Sequence, residues 1–144
     1  MNGKSIISIL CQELSLSEIE HKTIPIDDLV ITLPAEQIHQ AVQVLLERSE
    51  IYHLSTITGQ DTGEHIELLY HFWSKHGLTL RTLLPRQSPE IHTMIDLIPG
   101  ATFYEREIAE MLDVVFEWHP ISEHLFLPDD WYGEAPLRKR ANDG

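Results

Sequence analysis

The sequence predicts an α+β fold of two layers, a largely antiparallel sheet with helices packed on one face, followed by an irregular extended C-terminal segment. Three observations carry this expectation. Apolar residues recur at helical spacing at Ile6, Ile7, Leu10 and Leu14, and again at Ile38, Ala41, Val42 and Leu45. Three consecutive β-type runs with short links occupy residues 52 to 84. Beyond Asp113 the periodicity gives way to prolines, aromatics and charges.

The first helix is expected over 4–14. Cys11 falls within its apolar pattern and reads as a small buried hydrophobe. As the chain's 1 cysteine, it excludes an internal disulfide and any Cys-rich zinc or iron–sulfur site. A weakly alternating stretch containing Pro25 leads into a strand over 29–33. Pro34 then stands at the first turn of a helix over 35–48, where a missing N–H costs nothing. Glu36, Gln40, Gln43 and Glu47 largely face water on that helix.

Two β-type runs follow, 52–60 and 64–74, joined by the turn-forming Asp61-Thr62-Gly63. Leu54, Thr56 and Thr58 alternate with Ser55, Ile57 and Gly59, and Ile66, Leu68, Tyr70 and Phe72 share one face. A third run, 78–84, stops at Pro85 and completes an antiparallel meander. Ser88-Pro89-Glu90 reads as N-cap, first-turn proline and an acid at the positive end of a helix. That helix continues through Ile91, Met94, Ile95 and Ile98 and ends at Pro99-Gly100. A further short helix over 103–112 opens with Tyr104-Glu105-Arg106-Glu107. The organisation expected is one α+β domain over 1–118 and an extended partner-docking segment over 119–144.

Chemistry is sparse. Lys+Arg number 10 against 23 Asp+Glu, a formal net charge of −13. Such a field repels phosphate backbones and anionic lipid and steers in a partner with a basic face. The N-terminal run lacks the apolar core and cleavage site of a signal peptide, and no stretch approaches the ~20 apolar residues of a membrane span. A cytoplasmic protein is expected. Among 7 glycines none forms a phosphate-binding loop, and 9 histidines show no chelating spacing. Neither metal nor cofactor is therefore expected in this chain. Glu105 and Glu107, with Arg106 between them, read as ion-pairing residues that also complement a helix start. A free-standing small enzyme using Glu105, Glu107 or His119 is a remote alternative, since no nucleophile or cofactor loop accompanies them.

The C-terminal third is more specific. Glu105-Arg106-Glu107 leads to Glu110-Met111-Leu112, then Trp118-His119-Pro120, then Pro128-Asp129-Asp130-Trp131, then Pro136-Leu137-Arg138-Lys139. In this order and spacing they closely resemble the C subunit of the proton-pumping NADH:quinone oxidoreductase, respiratory complex I. Related subunits of membrane-bound nickel–iron hydrogenases and archaeal complex I-like dehydrogenases share the pattern. The resemblance is motif-dense from about residue 79 to 140. Asp113 and Trp118 stand where that family usually has glycine, and Ile121-Ser122-Glu123-His124 replace its arginine-rich stretch.

The resemblance implies a scaffold subunit of the peripheral arm with no redox centre of its own. It would dock on the large subunit that forms the quinone cavity, or on the one holding the nickel–iron site in the hydrogenase branch. Flavin and iron–sulfur clusters would lie in partner subunits, and the chain would reach the cytoplasmic face of the membrane only through the complex. The residues expected to serve docking or assembly are Glu105, Arg106, Glu107, Trp118, His119, Pro120, Asp129, Asp130, Trp131, Pro136, Leu137, Arg138 and Lys139. Tryptophan supplies amphipathic anchors, and the terminal cations can pair with carboxylates of a neighbour. The alternative is that Trp131 folds back onto its own domain and Leu137–Arg140 is a solvated tail.

Overall fold

The computed structural model describes residues 3–24, 28–48, 53–73, 77–120, 127, 133 and 135–139. Its elements run α1 (Gly3–Glu13), β1 (Glu20–Ile24), β2 (Asp28–Thr32), α2 (Ala35–Arg48), β3 (His53–Asp61), β4 (His65–Trp73), β5 (Gly77–Pro85), β6 (Glu90–His92), α3 (Ala101–Leu112) and β7 (Val115–Glu117). The main sheet has the order β1-β2-β5-β4-β3. It is mixed: β1 lies antiparallel to β2, whereas β2 runs parallel to β5 with Leu29 beside Leu78 and Ile31 beside Leu80.

One-sided burial sets the layers. On β4, Ile66, Leu68, Tyr70 and Phe72 are buried, as the alternation predicts. On β3 the phase changes midway. Leu54 is buried, then Ile57, and Asp61 follows Ile57 onto the covered side. A single alternation along 52–60 therefore does not describe this strand. The change coincides with the boundary between two compact units, residues 1–56 with 69–82 and residues 57–68 with 83–144.

In the first unit Ile6, Leu10, Ile31, Ile38, Leu45, Tyr70, Leu78 and Leu80 form the core. Each such side chain contributes about 1.5–3 kcal/mol of hydrophobic stabilisation. Helices α1 and α2 are tied where Arg48 pairs with Glu13 and Gln40 donates to the Glu13 carbonyl at 3.3 Å. Cys11 is half-buried rather than fully enclosed. His71 lies against the Thr79 hydroxyl at 3.0 Å, and loss of solvent lowers its pKa.

The second unit holds the clearest departure from expectation. Residues 90–92 are a strand, not the start of a helix. Glu90, Ile91 and His92 pair in parallel with Val115, Phe116 and Glu117. Pro89 sits at the edge of this pairing, its carbonyl accepting the Val115 N–H at 2.9 Å. Only a turn follows, with the Leu97 and Ile98 amides both donating to the Met94 carbonyl. The apolar spacing of Ile91 and Met94 suits a helix, but here it reflects a strand residue and a turn residue facing one core. Strands β1 and β7 were not expected: β1 is exposed along its described side chains and β7 has three residues, so neither carries a readable period.

Helix α3 packs through Ala101, Glu105, Ile108 and Leu112. Gly59 permits this packing, because a Cβ there would lie 2.8 Å from Leu112 Cδ1 and 3.1 Å from Leu68 Cδ2.

Candidate functional site

Glu105 is fully buried at the fifth position of α3, not at its start. The first turn of that helix has no acid, which corrects the expectation of a dipole-complementing glutamate. Its two oxygens accept the Thr93 hydroxyl at 2.6 and 2.8 Å and the Met94 N–H at 3.2 and 3.1 Å. The Thr93 oxygen in turn accepts the Ile95 N–H at 3.2 Å, which leaves its hydrogen for the carboxylate. Glu105 thus staples the turn after β6 to α3. Burial pushes its pKa up to about 7, against the lowering by the Thr93 and Met94 hydrogen bonds and by His92; Asp96 raises it further.

Glu107 is exposed two residues on and Arg106 is half-buried. Two residues advance about 200° around a helix, so Glu105 and Glu107 point to opposite sides. Geometry therefore does not assemble them as an acid/base pair.

A second cluster gathers at the end of β3. The Asp61 carboxylate accepts Arg86 Nε at 2.8 and 2.9 Å, the Gly63 N–H at 2.9 Å and the Lys139 N–H at 2.8 Å. The Arg86 hydrogen bond holds the Asp61 carboxyl well below the usual carboxylate range despite opposition from burial. Gly63 supplies the positive φ of 93° that lets the turn close on this carboxylate. Arg86 also donates to the Lys139 carbonyl. Arg138 reaches the Leu112 carbonyl at 2.6 Å and the Arg86 carbonyl at 2.9 Å, and the Leu137 N–H reaches the Met111 carbonyl at 2.8 Å. Residues 137–139 are therefore held inside their own unit, the Arg138 guanidinium serving main-chain oxygens.

Other expected docking residues lie at the surface. Trp118 is 81% exposed and Leu137 57%, while Pro120, Pro136 and the Lys139 side chain are exposed and His119 is half-buried. Asp129, Asp130 and Trp131 lie outside the described residues. Sequence reading missed Asp61, Arg86 and Thr93 as partners of the motif residues. Asp61 carried one local signal, its place opening the Asp-Thr-Gly turn, but nothing local joins it to Arg86 or Lys139.

Residues 31–143 match the family described as respiratory-chain NADH dehydrogenase, 30 Kd subunit. The chain is 40% identical over 92 residues to the C subunit of the F420H2 dehydrogenase of Methanosarcina mazei, covering 60% of this chain and 58% of that protein. It is 32% identical to the C subunit of the NADH-quinone oxidoreductase of Roseiflexus castenholzii, covering 78% of this chain and 68% of that one. Among solved structures, a chain of the membrane-bound sulfane sulfur reductase, an archaeal respiratory membrane complex, superposes with a TM-score of 0.75 at 24% identity. That match covers 89% of this chain and 78% of the other. The trypsin-resistant fragment of Nqo5 superposes at 0.69 and 20% identity over 85% of this chain and 100% of its own. These superpositions support the α+β fold, and the sequence matches settle the family: the chain belongs to the 30 Kd subunit family of respiratory-chain NADH dehydrogenases, which supplies the C subunit of complex I-type enzymes.

Proposed function

We propose that this chain is a non-catalytic scaffold subunit in the peripheral arm of a proton-translocating NADH:quinone oxidoreductase, docking on the large subunit that forms the quinone cavity. One observation carries the scaffold part. Two of the motif residues act as internal staples, Glu105 on Thr93 and Met94, Arg138 on the carbonyls of Leu112 and Arg86. A carboxylate so enclosed has no route to a substrate, and a guanidinium so engaged organises backbone. Flavin and iron–sulfur chemistry belongs, in this reading, to partner subunits, and membrane association at the cytoplasmic face comes through the complex. The equivalent role in a hydrogenase-type or archaeal dehydrogenase complex is the alternative.

The test is turnover per assembled complex. With Glu105→Gln or Arg138→Ala, the yield of assembled enzyme falls while turnover per complex holds. Normal assembly with turnover lowered by orders of magnitude would contradict the scaffold role.

A further inference from the structure

Among the described residues, the outward face of β6 and β7 exposes Glu90, Val115 and Glu117. Register places Glu90 beside Val115 and His92 beside Glu117, with Ile91 and Phe116 buried beneath. Glu90 and Glu117 are exposed, Val115 is 52% exposed, and His92, half-buried, lies with its Nδ1 2.6 Å from the Thr93 carbonyl. Trp118 follows directly, 81% exposed at φ 70°. A left-handed conformation costs a non-glycine residue about 1–2 kcal/mol, and here it holds an indole out into solvent. The exposed acids Glu90 and Glu117 lie on this face itself, and over residues 87–120 the sequence offers Arg106 as the one lysine or arginine. Apolar surface of this kind, flanked by one sign of charge, fits a partner of the opposite sign.

We infer that this face, formed by Glu90, Val115, Glu117 and Trp118, docks a lysine- or arginine-bearing segment of a neighbouring subunit. Cationic side chains pair with Glu90 and Glu117, and a guanidinium stacks on the Trp118 indole. Val115 supplies the apolar floor. The same carboxylates repel phosphate groups, which favours a protein segment over nucleic acid or an anionic lipid surface. The inference rests on the assembly reading above but assigns a contact separate from the C-terminal segment.

The experiment uses the full chain in its native complex, with a photo-reactive benzoylphenylalanine replacing Val115 and the adduct mapped by mass spectrometry. The expected adduct lies on a lysine- or arginine-containing peptide of another subunit. In parallel, Glu90→Lys with Glu117→Lys lowers recovery of the partner about tenfold, whereas Glu64→Lys, on the exposed β3–β4 turn, leaves it unchanged. Trp118→Gly relieves the backbone, so the isolated variant melts no lower than wild type, yet it recovers less partner. The inference is overturned by an adduct only within this chain or on lipid, by no adduct in assembled complex, or by wild-type recovery of both charge-reversed and Trp118→Gly chains. If the charge-reversed chain fails to fold, the cross-link, which changes no charge, decides. A wild-type chain that recovers no other subunit overturns the assembly reading and this inference together.

Discussion

Glu105 is the residue at which sequence and structure differ most instructively. Its place in an acid–arginine–acid triplet suggested an ion-pairing residue that also complements a helix start; its environment is fully buried, closed by Thr93 and Met94. Because the folded pKa is raised from 4.5 to about 7, the folded state binds the proton more tightly than the unfolded chain. The resulting stabilisation is fully present below pH 4.5 and is lost as pH rises through about 7. Relative to Glu105→Gln, wild type should lose roughly 2–3 kcal/mol between pH 5 and pH 8, the order of magnitude that a raised carboxylate pKa of this size carries. Urea unfolding of both proteins at the two pH values measures this, and parallel pH dependences would refute it. Asp113 and Trp118 offer a second check at this scale. Both have positive φ, 60° and 70°, and both replace the glycine that the family resemblance leads one to expect. Asp113→Gly should raise stability by about 1 kcal/mol by relieving the left-handed strain; a lowered melting temperature would contradict that.

At the level of elements, periodicity located α1, α2, α3, β2 and the β3–β5 meander to within a few residues. It failed where the period was too short or had two meanings. The spacing of Ile91, Met94, Ile95 and Ile98 fits one helical face, yet β7 offers Ile91 a strand partner and Glu105 claims the Met94 amide. No local pattern encodes either. The Asp61 cluster was illegible for the same reason, since it joins residues 61, 86, 138 and 139 across long stretches of chain. Its effect is testable. Asp61→Asn removes the charge that receives Arg86, Gly63 and Lys139 and should cost about 2 kcal/mol. Because Asp61's pKa is depressed, its contribution is present above the ordinary carboxylate range and is lost as pH falls through the lowered value. The wild-type and Asp61→Asn stabilities should therefore converge in strong acid. Arg138→Ala should expose the Leu137 and Lys139 amides to faster hydrogen exchange, the sign that the clamp, not only packing, holds this segment; unchanged exchange would mean the guanidinium is dispensable.

For the molecule as a whole, the sequence was clearest about what kind of protein this is and least clear about how its motifs work. The triplet, the histidine–proline pair and the terminal basic run pointed to the family, which the match over residues 31–143 establishes. Within the chain, Glu105 organises a turn and Arg138 fastens residues 137–139 to α3 and to the Arg86 carbonyl just after β5. Truncation after Leu127 removes Arg138 and the Lys139 amide together, so it should lower the melting temperature as well as abolish assembly. The most direct measurement is recovery of the affinity-tagged full chain from native membranes, with its partners identified and quantified. The scaffold reading requires near-stoichiometric recovery with a large quinone-cavity subunit and with subunits carrying flavin and iron–sulfur clusters. Recovery of the chain by itself, or with oxidoreductase activity residing in the isolated chain, would contradict it.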